Sequence, residues 1–547
     1  MLKEDWFLGL DLSTQSLTAM VVSPESGVVR QLSIHFDQDY PGYGTHGGIP
    51  PSHDPLRVHV DPLMWVEALD DMLSLLRREG FTGRIAAVAV SAQQHGTVYL
   101  NRLAETALAG LNPANALAPG IAGIFSRKSC PIWMDSSTGR ECNEITAALG
   151  GDAAVTRLTG SVATERFAGP QIRKFHKAEP EAYSRTAHIA LVSSFATSLL
   201  AGGFAPVDAG DGFGTNLADI RSGTWSQAAM DAAAPGLHQR LPRLTVRDER
   251  IGRVSPYMAE RFGFRPETEV VVGSGDNPCS LAGLGLIGNP NLHAVSLGTS
   301  DTCFGYMAQI PDVARTEGHI FGTADGQAMF LICFKNGSLA RERIKDDFGL
   351  GWEGFSRILM ETPPGNRGRV MLPYFMPEIT PRVLKAGVRR FGGLSADNAA
   401  GNVRAVAEAQ AMGIYLHSAW VGKRPGRILV TAGGSENRGL LTVLADVFEA
   451  EVQTMEVKES AALGAALRAA HAWLNAHGPP AGWDKLCGAV VKTGAGRIVK
   501  PSAEASRRYH APNGLLAVYA ACERFSLGRG PDPDEKIKAF RKTFPAA

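Results

Sequence analysis

The sequence predicts an α/β protein made of two copies of one unit arranged around a central cleft. Three observations carry this. An apolar strand, a hydroxyl-rich turn and a return strand occur at Phe7–Asp11, Ser13–Ser16 and Leu17–Val22, and again from Ala294 to Tyr306. Each hairpin is followed by a third strand, Val28–Phe36 in one half and Ala328–Phe334 in the other. In each half a helix then leads to an apolar strand with a polar or glycine-rich end. Internal duplication accounts for this better than chance. The chain has 547 residues, too many for one core, and two domains of roughly 250 residues each are the natural expectation. The expected boundaries are 1–288 for the first domain, 289–500 for the second and 501–547 for a tail.

In chain order, Phe7–Asp11 is a short apolar strand ending in a carboxylate. The tip that follows offers hydroxyls and backbone donors, notably at Ser13 and Thr14. Such a tip can receive phosphate oxygens, and Asp11 can hold a hydrated Mg²⁺; a plain hairpin with a polar tip is the alternative. Residues 37–61 are rich in Gly, Pro and His and read as a loop. Asp61-Pro62 opens a helix with the acidic cap and first-turn proline that helices favour. Ile85–Val90 reads as a strand buried on both faces, emptying into Gln93-Gln94-His95-Gly96. Taken alone, His95 is more often a packed histidine than a ligand. Residues 101–131 look like a surface insertion.

The stretch Val270-Val-Val-Gly-Ser-Gly-Asp276-Asn277-Pro278 organises the chain. Its glycines permit a tight turn, and a helix is expected after Pro278. A carboxylate at the carboxyl end of a buried strand lies where open α/β sheets bind ligands. The bland alternative is that Asp276 merely caps the helix. In the second half the hairpin tip is Gly298-Thr299-Ser300, and Ala328–Phe334 empties into Lys335-Asn336-Gly337. A helix from Asn402 to about Gly422 precedes the strand Arg427–Thr431. Gly433 and Gly434 then permit close approach of a phosphate or ribose, ahead of the N–H groups of a helix from Gly439 to Glu449. A strand over 452–457 and a helix over 461–473 are expected to close this half.

Composition excludes several classes of function. There are 55 Lys and Arg against 54 Asp and Glu, with no basic block, so nucleic acid and anionic membrane are not expected partners. The seven cysteines are scattered with no CxxC, which suits reduced thiols better than a disulfide frame or zinc site. The N-terminus is acidic and runs straight into a strand, unlike a signal peptide. No apolar run approaches the ~20 residues that span a bilayer. A soluble, cytoplasmic chain is the expectation.

Taken in order, Asp11-Leu-Ser-Thr, Gln93-Gln-His-Gly, Gly275-Asp-Asn, Gly298-Thr-Ser and Ala432-Gly-Gly-Ser-Glu-Asn resemble the FGGY family of carbohydrate kinases. Further stretches, including Pro131-Ile-Trp-Met-Asp135, Glu165-Arg166-Phe-Ala-Gly-Pro and Asp211-Gly-Phe-Gly-Thr-Asn216, are similar to the branch acting on D-xylulose, especially its animal members. The resemblance implies a duplicated actin-like, ribonuclease-H-like fold and ATP-dependent phosphorylation of D-xylulose to its 5-phosphate. It implies that His95, Arg166, Asp276 and Asn277 contact the sugar, with Asp276 as catalytic base. It places Trp352, Gly433, Gly434 and Asn437 on the nucleotide, beside the phosphate turns at Ser13, Thr14, Thr299 and Ser300. Two departures concern nucleotide affinity: Ser13 stands where many relatives have Gly, and Thr18 where many have Lys. The alternatives are a family member acting on ribulose, rhamnulose, fuculose or glycerol, or an idle nucleotide-binding module, against which the intact Asp276 counts. A homodimer is left open.

Overall fold

The computed structural model describes residues 5–312, 317–455, 459–478, 480–491 and 496–545. The chain divides into two units. The first comprises Met1–Gly288, Tyr306–Met329 and Glu459–Lys492, and the second Asn289–Gly305, Phe330–Lys458 and Thr493–Ala547.

Near-continuous apolar runs, buried on both faces, build the centre of the first sheet. Its strands are β1 (Trp6–Leu12), β2 (Ser16–Ser23), β3 (Gly27–His35), β4 (Ile85–Ala92), β5 (Arg250–Arg253), β6 (Glu269–Val271) and β7 (Ser274–Gly275). They run in the order β5-β6-β4-β1-β2-β3, with β7 also on β4. β1 pairs antiparallel with β2 as the hairpin requires, and parallel with β4. The parallel register sets Asp11 beside Ser91, and β7 sets Ser274 beside Ser91 and Gly275 beside Ala92. The carboxyl ends of β1, β4 and β7 therefore share one edge, the edge at which open sheets receive ligands.

The second unit repeats this plan. Its strands are β8 (Leu292–Leu297), β9 (Asp301–Met307), β10 (Ala328–Phe334), β11 (Arg427–Thr431), β12 (Glu451–Thr454) and β13 (Ile498–Val499). The order β13-β12-β11-β8-β9-β10 repeats the six-strand path of the first sheet, and a seventh strand, His319–Gly322, pairs beyond β10. β8 and β9 form the antiparallel hairpin, while β8 and β11 run parallel with Ser296 opposite Thr431. The tip after Leu297 and the turn after Thr431 thus leave the same edge. The expected residues 456–457 of the strand here assigned to Glu451–Thr454 lie outside the described residues.

Local signals account for the helices that hold these edges. Asp61 caps the helix Pro62–Arg78 by accepting from the Leu63 N–H, satisfying a donor the first turn leaves open. Asn398 caps Ala399–His417 in the same way, so that helix starts a turn before Asn402.

The structure corrects two expectations. The helix Ser460–His477 does not close the second half; it packs in the first unit. Close approach makes this fit possible. A Cβ on Gly464 would lie 1.7 Å from the Cys279 carbonyl oxygen, and one on Gly9 would lie 2.1 Å from that of Ala462. Arg468 of the same helix is buried with Nη2 3.0 Å from Asp208 and Nε 2.7 Å from Asp248. The helix therefore fixes the Asp276–Gly283 helix against β1. Residues 101–131 are also more than a surface insertion. Ala104, Leu108, Leu117, Ile121 and Ile124 are buried in the same core as Trp65, Met72 and Leu76. The last fifty residues join the second unit, where Tyr509 donates to Glu408 (2.8 Å) and accepts from Arg404 (2.6 Å).

Candidate active site

Asp276 opens the helix Asp276–Gly283 directly, with Gly275 at the cap position. It is not the side-chain cap of the bland reading, and the helix begins before Pro278. Gly275 is needed because a Cβ there would lie 2.2 Å from Gln94 Cγ. Gln94 lies across this turn. Its Nε2 donates to the Gly210 carbonyl (3.0 Å), and its Oε1 accepts from Asn277 Nδ2 (2.8 Å). Asn277 in turn donates to Asp276 Oδ1 through its backbone N–H (2.8 Å) and Nδ2 (2.9 Å). Two donors of Asn277 thus hold one carboxylate oxygen of Asp276.

Its electrostatics differ from those of a surface carboxylate. Burial, and then the Asp11 carboxylate, push the Asp276 carboxyl up to about 7, against the Asn277 N–H. Burial also pushes Asp11 up to about 6; the 2.6 Å hydrogen bond from Ser91 opposes this and Glu459 adds to it. Asp211 is buried beside them. Ser193 donates to its Oδ2 while Oδ1 has no partner among the described residues. Burial, then the neighbouring Asp208 and Asp276, hold Asp211 up at about 8 against the Ser193 hydrogen bond.

His95 sits at the end of the same strand-edge loop with φ 72°, a left-handed backbone that His tolerates better than branched residues. Its Nδ1 lies 2.8 Å from the Gly214 carbonyl, which can only accept, so this nitrogen carries the proton. The ring stacks on Phe167 at 4.3 Å. Burial, and then Arg166, push the imidazole down to about 3. His95 is a neutral ring with Nε2 as its remaining acceptor. Arg166 is half-buried, with Nη2 2.9 Å from His319.

At the first hairpin tip, the Ser13 hydroxyl turns back to the Ser16 carbonyl (2.9 Å), and Thr14 Oγ1 accepts from Trp133 Nε1 (2.8 Å). Thr18 bonds to Ser33 within the sheet. Trp133 belongs to the Pro131–Asp135 stretch, whose Asp135 is buried and receives Ser137, Gln171 and the Val58 N–H.

In the second unit Thr299 and Ser300 form an exposed tip held from beneath. Asp301 and Arg341 make a buried bidentate pair at 2.8 and 3.0 Å, and Arg341 also reaches Gln410. Ser338 N–H and Arg341 Nη2 both donate to the Gly298 carbonyl. A Cβ on Gly298 would lie 3.8 Å from that of Ala432, so the two turns are neighbours. Gly433 and Gly434 form a single 3₁₀ turn, Gly433–Glu436. They differ in kind: a Cβ on Gly434 would lie 2.6 Å from Leu297, whereas one on Gly433 would meet nothing within 4 Å. Asn437 caps the helix Arg438–Phe448 and accepts from Ser356, one turn along the helix that the exposed Trp352 begins.

His95, Arg166, Asp276 and Asn277, the residues expected at the sugar, therefore share the first unit with Asp11, Ser13 and Thr14. Thr299, Ser300, Trp352, Gly433, Gly434 and Asn437 share the second. Gln94, Asp211, His319 and the Asp301–Arg341 pair escaped the sequence reading. Gln94 and Asp211 lie inside motifs that drew attention for other residues. The partners of His319 and Arg341 are too distant in the chain for any spacing to signal them.

Residues 128–283 match the FGGY family of carbohydrate kinases, N-terminal domain, and residues 293–473 match its C-terminal domain. The chain is 41% identical to a xylulose kinase of Rattus norvegicus, covering 96% of this chain and 98% of that protein. It is 40% identical to xylulose kinase 2 of Arabidopsis thaliana, over 86% and 87% of the two chains. Among solved structures, the fold matches xylulose kinase from Rhodospirillum rubrum (TM-score 0.80, 21% identity, 96% and 99% covered). It also matches Plasmodium falciparum glycerol kinase with ADP (TM-score 0.72, 14% identity, 92% and 96% covered). Among the described residues, no helix is long and apolar enough to cross a membrane.

Proposed function

This chain belongs to the FGGY family of carbohydrate kinases, and from that premise we propose that it transfers the γ-phosphoryl group of ATP to D-xylulose, giving D-xylulose 5-phosphate. The observation that carries the chemistry is Asp276: a carboxyl held by Asn277 at the sheet edge and raised to about 7. The sugar is taken from the likeness to xylulose kinases. Incubation with ATP, Mg²⁺ and D-xylulose should give ADP and a phosphate ester on carbon 5 of the ketose, read by phosphorus–proton coupling. ADP with inorganic phosphate and no sugar ester would refute it.

A sugar hydroxyl is too weak an acid to ionise at neutral pH, so its proton leaves as the phosphoryl bond forms. Asp276 accepts it, being close to neutrality in affinity for that proton. Asn277 orients Asp276 and offers its amide oxygen to a ketose hydroxyl; His95 Nε2 accepts from another hydroxyl and Arg166 donates to the ketose. Asp11 suits a divalent cation, because it is a buried carboxylate at a strand end and Mg²⁺ is commonly held by one or two carboxylates plus phosphate. When bound, Mg²⁺ neutralises charge on the transferring phosphoryl group. In the second unit the Gly298–Ser300 and Gly433–Gly434 turns take the nucleotide phosphates and ribose, with Trp352 and Asn437 beside them.

Two outcomes check the division of labour. His95→Ala should weaken ketose binding by about 1–3 kcal/mol, through the polar groups left unpaired, while ATP binding without sugar is unchanged. A normal xylulose titration would return His95 to a packing role. Gly433→Val should raise the apparent ATP requirement and leave the ketose requirement unchanged, because a Cβ there meets no protein atom within 4 Å. Gly434→Val instead drives into Leu297 and lowers stability first. A rise in the ketose requirement alone for Gly433→Val would remove this turn from the nucleotide side.

A further inference from the structure

Arg166 is itself held by a residue that no motif singles out. His319 comes from the strand His319–Gly322, 153 residues further along the chain, and its Nε2 lies 2.9 Å from Arg166 Nη2. A guanidinium has donors only, so Nε2 must present a bare lone pair. The ring proton is therefore on Nδ1, which lies 3.1 Å from Ser161 Oγ. The ring is buried, 5.1 Å from Phe167 and stacked with Phe321 at 5.9 Å, and Phe167 also carries the His95 ring. Packing and both nitrogens fix the imidazole, leaving Arg166 one defined acceptor behind it.

We propose that His319 is a positioning residue: it pins the Arg166 guanidinium in the orientation that meets the ketose hydroxyls, and so sets ketose affinity. This rests on the reading of Arg166 as a sugar contact. Burial, then Arg166 and His95, keep the His319 ring well below its usual pKa, so the acceptor persists throughout the neutral range. A flexible, half-buried arginine without this acceptor would have to be ordered by the sugar, which lowers affinity without touching the phosphoryl-transfer step.

The test titrates D-xylulose and ATP on the parent, His319→Leu, His319→Gln, Arg166→Ala and the double variant His319→Leu/Arg166→Ala. His319→Leu should raise KM for D-xylulose about ten-fold, the scale of one charged hydrogen bond, with kcat and the ATP KM unchanged. His319→Gln retains an acceptor and should recover most of this. Adding His319→Leu to Arg166→Ala should change nothing further, because both remove one coupled contact. An unchanged ketose KM in His319→Leu beside a raised one in Arg166→Ala overturns the proposal, as does additivity in the double variant. An unchanged ketose KM in Arg166→Ala instead refutes the sugar reading beneath it. Should His319→Leu not fold, Ser161→Ala decides: freeing the ring must raise the ketose KM in the same direction, and a normal titration overturns the proposal.

Discussion

Asp276→Asn is expected to lower turnover by roughly 10²–10⁴, the range that loss of a general base commonly gives. Asn keeps an Oδ1 for the Asn277 backbone and side-chain donors, so the helix start and both ligand sites survive. A modest rise in the xylulose requirement accompanies it if the carboxylate also bonds the sugar. Stability should move the other way from activity. A carboxyl raised to about 7 from an unfolded value of about 4 binds more protons folded than unfolded between those limits. Stability from this group is therefore present below about pH 4 and lost as pH rises through about 7. Above pH 7 Asp276→Asn should melt at or above the parent temperature. In the parent, kcat/KM should fall as pH drops below about 7, where Asp276 becomes protonated. A variant that binds both ligands and turns over near the parent rate would remove Asp276 from the chemistry.

Arg341→Met is expected to destabilise the protein by about 3–5 kcal/mol, the cost of leaving a buried partner charge alone. Asp301 is fully buried, and Arg341 supplies both of its short ion-pair bonds. The same guanidinium reaches the Gly298 carbonyl at the base of the Thr299–Ser300 tip. The apparent ATP requirement should accordingly rise while that for the ketose does not. Asp301→Asn in the Arg341→Met background should restore part of the stability, since the stranded charge is gone. Chemical denaturation of the three proteins checks this. No loss in Arg341→Met, or no recovery in the double variant, would contradict the account of the tip.

The parts of the fold legible from sequence are those that local rules govern. The two hairpins show as apolar strands around hydroxyl turns, and the Asp61-Pro62 helix start follows from capping. The placement of Asp11 and Asp276 at strand ends was legible for the same reason. What joins them was not. Strand register, which sets Asp11 beside Ser91 and Gly275 beside Ala92, is a long-range property. Helical periodicity tells which face of Ser460–His477 is apolar, not which sheet that face covers. Gly9 and Gly464 are visible as glycines, but the backbones they admit are not. The 101–131 stretch did carry a signal: Ala104 with Leu108, and Leu117 with Ile121, stand four apart on short helices and are buried. Its loop-like composition obscured that spacing.

The central claim is phosphorylation of D-xylulose, and steady-state ADP release from the purified protein with ATP and Mg²⁺, measured across a panel of sugars and polyols, tests it most directly. The panel is D-xylulose, D-ribulose, L-rhamnulose, L-fuculose and glycerol. The account predicts sugar-dependent ADP release with the highest kcat/KM for D-xylulose. A higher kcat/KM for another member, or ADP release indifferent to every one of them, would contradict it.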